Sequence, residues 1–220
     1  MSGDTFQIPL IVDYGAAMLW GFSGALVAVR RRLDIVGVAV LALVTALGGS
    51  ILRDGLFLQV HPVALVYPWY LPAIAFAAIL TAILRGRIGM LTQHRTVDTL
   101  DAIGMGAYAV IGMEKAMAVG YPPAGVVLVG MVNAVGGGIL RDILVSEVPS
   151  LFTPSQFYSL PVLAGCIVFW TLVHFQIVST AHAAWLTMFL VLAGRTLAIR
   201  FDWRTKPVAG DEDGGEVSQQ

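Results

Sequence analysis

The sequence has little charge for its length. Charged residues make up 12% of its 220 residues, hydrophobic residues make up 57%, and the mean hydropathy is +0.81. Soluble domains carry about 25% charged residues, so this scarcity excludes an ordinary soluble domain and predicts a protein that lives in a lipid bilayer. The formal net charge of −1 leaves no basic field for nucleic acid, which we exclude as a partner.

Cysteine and recognisable catalytic motifs are also scarce. The single cysteine, Cys166, lies in an apolar run, which excludes a disulfide framework and a thiolate metal site. The sequence has no Walker loop, HExxH or GxSxG motif. The four histidines lack the spacing of metal ligands; they are His61, His94, His174 and His182. We therefore expect no enzymatic activity, no metal and no cofactor.

One helical crossing of a bilayer needs about 20 mainly apolar residues. By this criterion the sequence contains seven candidate segments. They run from Ile8 to Val29, Leu33 to Leu58, Tyr70 to Leu84, Val97 to Val119, Ala124 to Val145, Tyr158 to Phe175 and Ala181 to Ile199. The N-terminus has no basic region of a signal peptide, so we expect the first segment to be retained. The acidic, glycine-rich residues 205–220 have no apolar period and are predicted to be a disordered tail.

Basic residues follow the first, third and seventh apolar segments. They are Arg30, Arg31 and Arg32, then Arg85, Arg87 and Arg95, then Arg200, Arg204 and Lys206. With seven crossings, these three places lie on one side of the membrane, and positive residues favour the cytoplasmic side. The N-terminus is therefore predicted outside and the C-terminus in the cytoplasm.

The chain contains an internal repeat. "GGSILRDGL" begins at Gly48 and "GGGILRDIL" begins at Gly136, an offset of 88 residues. The same offset aligns Asp13 with Asp101, Gly24 with Gly112, Ala28 with Ala116, Gly37 with Gly125, and Ala46 with Ala134. We divide the chain into residues 1–95, 96–178, 179–204 and 205–220: two three-helix units, a seventh helix and the tail. Because three is odd, the second unit enters from the opposite side, and the repeats are inverted.

Consecutive glycines in an apolar helix favour a bend, since glycine lowers helix stability by about 1 kcal/mol relative to alanine. We expect breaks at Gly48, Gly49 and Ser50, and at Gly136, Gly137 and Gly138. One turn earlier the repeats place Thr45 and Asn133 on the same helix face. Freed carbonyls and these two polar side chains are predicted to line a hydrated constriction. The alternative is that the glycines permit close helix packing.

Each repeat carries one arginine at the same position. Inversion places Arg53 near the outer face and Arg141 near the inner face, where a topology signal alone would favour only the inner one. We therefore predict paired charges that face the protein interior, although a single such arginine is often a snorkelling anchor. Asp13 and Asp101 lie at the matching ends, so each repeat is predicted to close its own Asp–Arg pair. A carboxylate in a first helical turn is the alternative role for Asp101.

Four further charges complete the candidate site. Asp54 and Asp142 follow the two arginines directly, and Glu114 and Lys115 lie within the fourth apolar segment. Adjacent residues on a helix do not face each other, so Glu114 does not simply neutralise Lys115. At least one of the two is predicted to point inward, although a lysine at this depth also has the length to snorkel outward.

With its doubled GGxxRD motif in an arrangement of three, three and one helices, the chain resembles the bacterial branch of the trimeric intracellular cation channel family, also labelled a putative glycine transporter. The resemblance extends to about Arg204, and Ser50 departs from Gly138, which makes the two halves unequal. It implies a homotrimer in the bacterial inner membrane, surrounded by lipid. Each protomer would hold a pore for potassium or sodium, bounded by the first, second, fourth and fifth segments. A secondary carrier for a small zwitterion such as glycine is the alternative, and a scaffold without transport leaves the matched polar residues unexplained.

Overall fold

The computed structural model describes residues 8–84, 94–153 and 157–204, and the fold is all-α. The helices are α1 (Leu10–Arg30), α2 (Ile35–Leu52), α3 (Val63–Val66), α4 (Tyr70–Leu84), α5 (His94–Val119), α6 (Pro123–Leu144), α7 (Leu160–His174) and α8 (Thr180–Phe201). A π-helical segment, Arg53–Leu58, continues α2.

The helices follow the predicted apolar segments closely. Five are long and apolar enough to cross a membrane: α1, α2 with its π-helical extension, α5, α6 and α8. The helices α4 and α7 are apolar and shorter, with 15 residues each. The one-turn helix α3 has no counterpart in the prediction. Some parts of the prediction lie outside the described residues, namely the tail, Arg85, Arg87, Lys206 and the side chain of Arg95.

Local sequence signals set several helix ends. The Asp34 carboxylate accepts a hydrogen bond from the Gly37 backbone N–H at 2.8 Å and caps α2. A proline occupies the first position of α6, where its missing N–H costs nothing. The glycine after α5, Gly120, has a φ of +85°, a left-handed conformation that other residues rarely adopt.

Four helices form the centre of the molecule. The helix α1 packs against α2 and α5, and α6 packs against the same two helices. The helix α4 lies against α1 and α2, whereas α7 lies against α5 and α6, and α8 covers α5 and α7. Large apolar side chains are exposed along the outer surface of this bundle, as expected where lipid rather than water surrounds a protein.

The two repeats contact each other reciprocally at opposite ends of the bundle. After the first motif, the Phe57 carbonyl accepts a hydrogen bond from Tyr121 in the turn between α5 and α6. After the second motif, Glu147 forms an ion pair with Arg31 in the turn between α1 and α2. We call these two ends the Phe57 end and the Glu147 end. The first motif thus meets the second repeat at one end, and the second motif meets the first repeat at the other.

Candidate functional site

The doubled glycines lie where α2 crosses α6, and they do not break either helix. The helix α6 is α-helical throughout Pro123–Leu144, and α2 is α-helical through Gly48 and Gly49 to Leu52. The predicted breaks at Gly48, Gly49 and Ser50, and at Gly136, Gly137 and Gly138, are therefore wrong. The first motif departs from α geometry after its glycines, in the π-helical segment that begins at Arg53.

Close packing of two backbones is the physical reason for these glycines. A Cβ added to Gly48 would lie 3.2 Å from the Cα of Gly137, and one added to Gly136 would lie 3.1 Å from the Cα of Gly49. Because Cβ atoms are absent here, the two helices approach far closer than larger residues allow. A regular helix also keeps its backbone hydrogen bonds, which an apolar surrounding strongly favours. The packing alternative therefore explains the motif.

The pairing at this crossing is reciprocal. Gly48 contacts Gly137, which aligns with Gly49 in the repeat. Gly49 contacts Gly136, which aligns with Gly48. A Cβ on Gly49 would overlap the carbonyl of Asn133, and a Cβ on Gly137 would overlap the carbonyl of Thr45, again an aligned pair. Reciprocal contacts between equivalent residues are the mark of a two-fold relationship.

Thr45 and Asn133 are buried within this crossing, with exposures of 0% and 1%. The Thr45 hydroxyl donates to the Leu41 carbonyl at 2.6 Å, within its own helix. The Asn133 amide donates to the Tyr108 carbonyl at 2.6 Å, and its oxygen accepts from Arg53 at 3.1 Å. Both side chains therefore make protein contacts in this conformation, and the crossing itself is tightly packed.

The arginine of the second repeat is part of a buried polar cluster at the Glu147 end. Arg141 Nη1 donates to both carboxylate oxygens of Asp101, at 2.9 and 3.1 Å, and to the Ser23 hydroxyl at 2.9 Å. Ser23 in turn donates to Asp101 at 2.7 Å. Arg141 is 3% exposed and Asp101 is 1% exposed. The predicted Asp101–Arg141 pair is present, and Ser23 completes it.

The arginine of the first repeat has different partners. Arg53, 1% exposed, donates through Nε and Nη2 to both oxygens of Asp54, at 2.7 and 2.9 Å, and through Nη1 to Asn133. The Asp13 carboxylate instead accepts a hydrogen bond from the Tyr70 hydroxyl. The predicted Asp13–Arg53 pair is therefore wrong, because a phenol from α4 occupies that carboxylate and an amide from α6 satisfies the guanidinium.

The aspartate of each motif forms two kinds of contact. Its Oδ1 accepts from Nε of the preceding arginine, at 2.7 Å for Asp54 and 3.0 Å for Asp142. Its Oδ2 accepts from a backbone N–H farther along the chain, Val63 for Asp54 and Ser150 for Asp142, at 3.1 Å in both cases. The RD pair therefore neutralises a buried arginine and also holds the segment that follows the helix.

Lys115 and Glu114 lie on α5 near the Phe57 end. Lys115 Nζ is 3.8 Å from Asp54 Oδ1, and its side chain is 37% exposed. Glu114 is half-buried and interacts with the Ile8 backbone. Lys115 thus joins the Arg53–Asp54 cluster as a second, partly accessible cation, which agrees with the prediction that one of the two residues points inward.

Comparison with known proteins places this arrangement in a family. A family model described as "Glycine transporter" matches the chain twice, over residues 10–86 and 98–174, which are displaced by the same 88 residues as the motif. A UPF0126 membrane protein of Deinococcus radiodurans is 36% identical over 89% of this chain and 92% of its own. The UPF0126 inner membrane protein YadS of Escherichia coli K12 is 32% identical over 92% of this chain and 97% of its own.

Solved structures agree over the whole fold. A structure that addresses conductance through TRIC cation channels has 30% identity and a TM-score of 0.82, covering 94% of this chain and all of the other. The chain belongs to the bacterial TRIC channel family. A TRIC orthologue from Rhodobacter sphaeroides has 27% identity and a TM-score of 0.81, covering 88% and 97% of the two chains. A prokaryotic TRIC channel crystallised in 0.5 M KCl, 23% identical with a TM-score of 0.80, shares the fold.

The TRIC-family core contains a pair of aromatic residues that the motif analysis missed. Trp20 of α1 and Tyr108 of α5 pack edge to face, with ring centroids 5.0 Å apart and exposures of 1% and 3%. They align under the 88-residue offset, so the repeat itself was the signal that could have identified them. Their contact lies among the same four central helices as the glycine crossing.

The last helix of the TRIC-family chain, α8, contributes a buried arginine that the sequence prediction also missed. Arg195, 1% exposed, donates to the Phe157 carbonyl at 3.1 Å and lies over the Tyr158 ring, 4.7 Å from its centroid. Tyr158 covers Gly138, where an added Cβ would lie 2.5 Å from the phenol oxygen. An arginine within an apolar segment was the available signal.

Within the described residues, no three His, Cys, Asp or Glu side chains lie close enough together to hold a metal ion.

Proposed function

We propose that this protein is a passive channel for monovalent cations, chiefly potassium, with one permeation path in each protomer. The match in fold to TRIC cation channels over 94% of the chain carries this proposal. The path runs among α1, α2, α5 and α6, the four helices whose buried polar side chains face one another. Its polar residues are those of the two motifs with Thr45 and Asn133, and the protein's environment is the lipid of the bacterial inner membrane, where YadS is found.

Charge balance supports a path for cations. Buried arginines would repel a cation unless acids neutralise them. Arg53 lies on Asp54, and Arg141 lies between Asp101 and Asp142. When Asp13 and Lys115 are included, four acids face three bases around the central helices. The arginines therefore act as fixed partners of acids rather than as a positive barrier.

We propose seven membrane crossings, including the shorter α4 and α7, with residues 1–95 and 96–178 as inverted repeats and 179–204 as the seventh helix. The reciprocal contacts of the two motifs at opposite ends of the bundle support the inversion. The basic residues at the ends of α1 and α8 favour a cytoplasmic Glu147 end. The N-terminus is then outside and the C-terminus inside.

We propose a homotrimer, as the name of the TRIC orthologue from Rhodobacter sphaeroides indicates for that protein. Large apolar side chains on the outer surface, such as Phe76, Trp185 and Phe189, provide a face for lipid or for neighbouring protomers. Size-exclusion chromatography with light scattering on detergent-purified protein should give a mass of three chains. A monomeric mass across several mild detergents would contradict this assembly.

Current recording tests the channel. Purified protein in a planar bilayer under a KCl gradient should give unitary currents that reverse near the potassium equilibrium potential. The same recording is made on the Arg141→Ala variant, which lacks the buried contacts of Arg141 with Asp101 and Ser23. Its currents are compared with those of the unsubstituted protein. The family-model description favours one alternative, a secondary carrier of glycine. Saturable glycine uptake by vesicles that show no unitary current would support that carrier and overturn the channel.

A further inference from the structure

Trp20 and Tyr108 meet where the two repeats are related to each other. They are equivalent under the repeat, they come from α1 and α5, and their rings touch edge to face with centroids 5.0 Å apart. Edge-to-face contact is a favoured arrangement of aromatic rings. With exposures of 1% and 3%, both side chains are buried. The pair therefore fills space among the four central helices.

The pair lies between the two charged clusters. We call the cluster of Arg141, Asp101 and Ser23 the inner cluster, and the cluster of Arg53, Asp54 and Lys115 the outer cluster. On α5, Tyr108 is about two helical turns from Asp101 and about two turns from Lys115. On α1, Trp20 is followed within one turn by Ser23, which binds Arg141 and Asp101. Along α1 and α5, the aromatic pair therefore lies between the two charged clusters.

The surrounding helices are shaped to receive the indole ring. A Cβ added to Gly104 of α5 would overlap the Trp20 ring, and one added to Gly137 of α6 would lie 2.8 Å from Trp20 Cζ3. Glycines on two different helices therefore create the space that the indole fills. This gives Gly137 a second contact in addition to the α2–α6 crossing.

The contact between Trp20 and Tyr108 leaves one polar group unsatisfied, the indole N–H of Trp20. Among the described residues, no acceptor lies within hydrogen-bonding distance of the Trp20 indole nitrogen, although the residue is 1% exposed. A buried donor without a partner destabilises the state that contains it. Tyr108 in turn is linked to the outer cluster, because its carbonyl accepts from Asn133, which also binds Arg53. Water that enters between the rings would satisfy the indole and favour an open state.

We propose that Trp20 and Tyr108 form the central closure of the permeation path, and that their separation is the step that opens it. This inference rests on the proposed channel function. It assigns the closure to a matched aromatic pair, one residue from each repeat, rather than to the glycines or to the charged clusters. The orphan indole N–H keeps the closed state marginal, so that modest changes shift the equilibrium.

A volume series at the two positions tests the closure. Trp20→Leu, Trp20→Ala, Tyr108→Leu and Tyr108→Ala should raise the open fraction of single-channel recordings in symmetric KCl, with at least a fivefold increase for Trp20→Ala. Leucine should give a smaller increase than alanine at each position. The control is Trp185→Ala, which removes a tryptophan that is 52% exposed. This control should leave the open fraction within twofold of the unsubstituted protein.

The outcomes separate this inference from the proposed function. If the unsubstituted protein conducts and neither Trp20→Leu nor Trp20→Ala opens more often, the pair is not the closure. If the protein instead takes up glycine without unitary current, the channel proposal fails, and Trp20→Ala should then convert saturable glycine uptake into a non-saturable leak. Saturable uptake retained by that variant would overturn the closure. If an alanine variant does not assemble, the two leucine variants decide.

Discussion

Buried arginines explain why the motif ends in Arg-Asp. A guanidinium removed from water requires partners for its charge and its N–H groups, and each motif provides a carboxylate on the next residue. The remaining donors find Asn133 in the case of Arg53, and Ser23 with Asp101 in the case of Arg141. Both arginines therefore bind the aspartate that follows them, and their remaining partners differ between the two repeats.

Arg141 and Asp101 should be energetically coupled. Arg141→Ala leaves the Asp101 carboxylate buried with one fewer partner, which typically costs about 3 to 5 kcal/mol of stability. Asp101→Asn removes that uncompensated charge, so the double variant should lose less than the sum of the single losses, with a coupling of about 1 to 3 kcal/mol. Thermal or denaturant unfolding of the purified protein followed by circular dichroism provides the four values.

Arg53 and Asp13 form the matched control for this cycle. They occupy the equivalent positions of the first repeat, but Asp13 binds Tyr70 and Arg53 binds Asp54 and Asn133. Their losses should add within about 0.5 kcal/mol. Coupling of equal size in both cycles would mean that the two pairs are equivalent, contrary to the contacts described above.

Sequence alone predicted one of these two pairs. The 88-residue offset located both arginines and both acids, and burial of the arginines followed from their presence on opposite faces. The contribution of Tyr70 was not predictable, because the aligned phenol in the second repeat, Tyr158, lies over Gly138 and stacks with Arg195 instead. Differences between repeats arise from flanking helices, which the motif does not encode.

At the scale of helices, glycine had two competing interpretations, and sequence could not decide between them. Low helix propensity favoured a bend, whereas small size favoured close packing. The neighbouring helix decides between the two interpretations, because consecutive glycines on α2 face consecutive glycines on α6. A Cβ added at this crossing would lie only 3.1 to 3.2 Å from the opposing Cα. Helix boundaries were predicted to within a few residues because apolar length is a strong signal, and the one-turn helix α3 was too short to be detected.

Gly137→Ala should therefore destabilise the α2–α6 crossing. Its Cβ would overlap the Thr45 carbonyl and press on Trp20, so the helices must separate, at a cost of about 1 to 3 kcal/mol or more. We expect a lower yield of assembled protein and a lower melting temperature by size-exclusion chromatography and calorimetry. Gly125→Ala on the same helix is the control, because its nearest contact of 3.4 Å is ordinary; it should be neutral or slightly stabilising. Equal losses from both would show that the glycines do not act through close contact.

The two aspartates of the motifs should each protect one amide. Asp142→Asn weakens the acceptor of the Ser150 N–H, and Asp54→Asn weakens that of the Val63 N–H. Hydrogen exchange measured by mass spectrometry should become about tenfold faster in the segment after α6 for the first variant and in the segment after α2 for the second. Each variant is the control for the other, and faster exchange in both segments from either single change would indicate general loosening instead.

For the whole molecule, the two ends are chemically unequal although the two motifs make reciprocal contacts. The Glu147 end contains the ion pairs of Glu147 with Arg30 and Arg31, whereas the Phe57 end contains a neutral contact between Tyr121 and the Phe57 carbonyl. Arg30 and Arg31 beside Glu147 are a topology signal that favours the cytoplasmic side for this end. The charges that distinguish the two ends therefore lie in the turns, outside the glycine crossing of α2 and α6.

The inversion predicts that the segments after the two motifs lie on opposite sides of the membrane. Single cysteines at Gln59 and at Glu147, in a Cys166→Ala background, should react with an impermeant maleimide from the outside and from the cytoplasm respectively. Gln59 has a left-handed backbone at an exposed site, so a Ser146 cysteine provides a matched second position with the same geometry at the other end. Labelling of intact cells and of inverted vesicles distinguishes the sides. If the Gln59 and Ser146 cysteines react from the same side, the repeats are parallel, and the reciprocal contacts of the two motifs would need a different explanation.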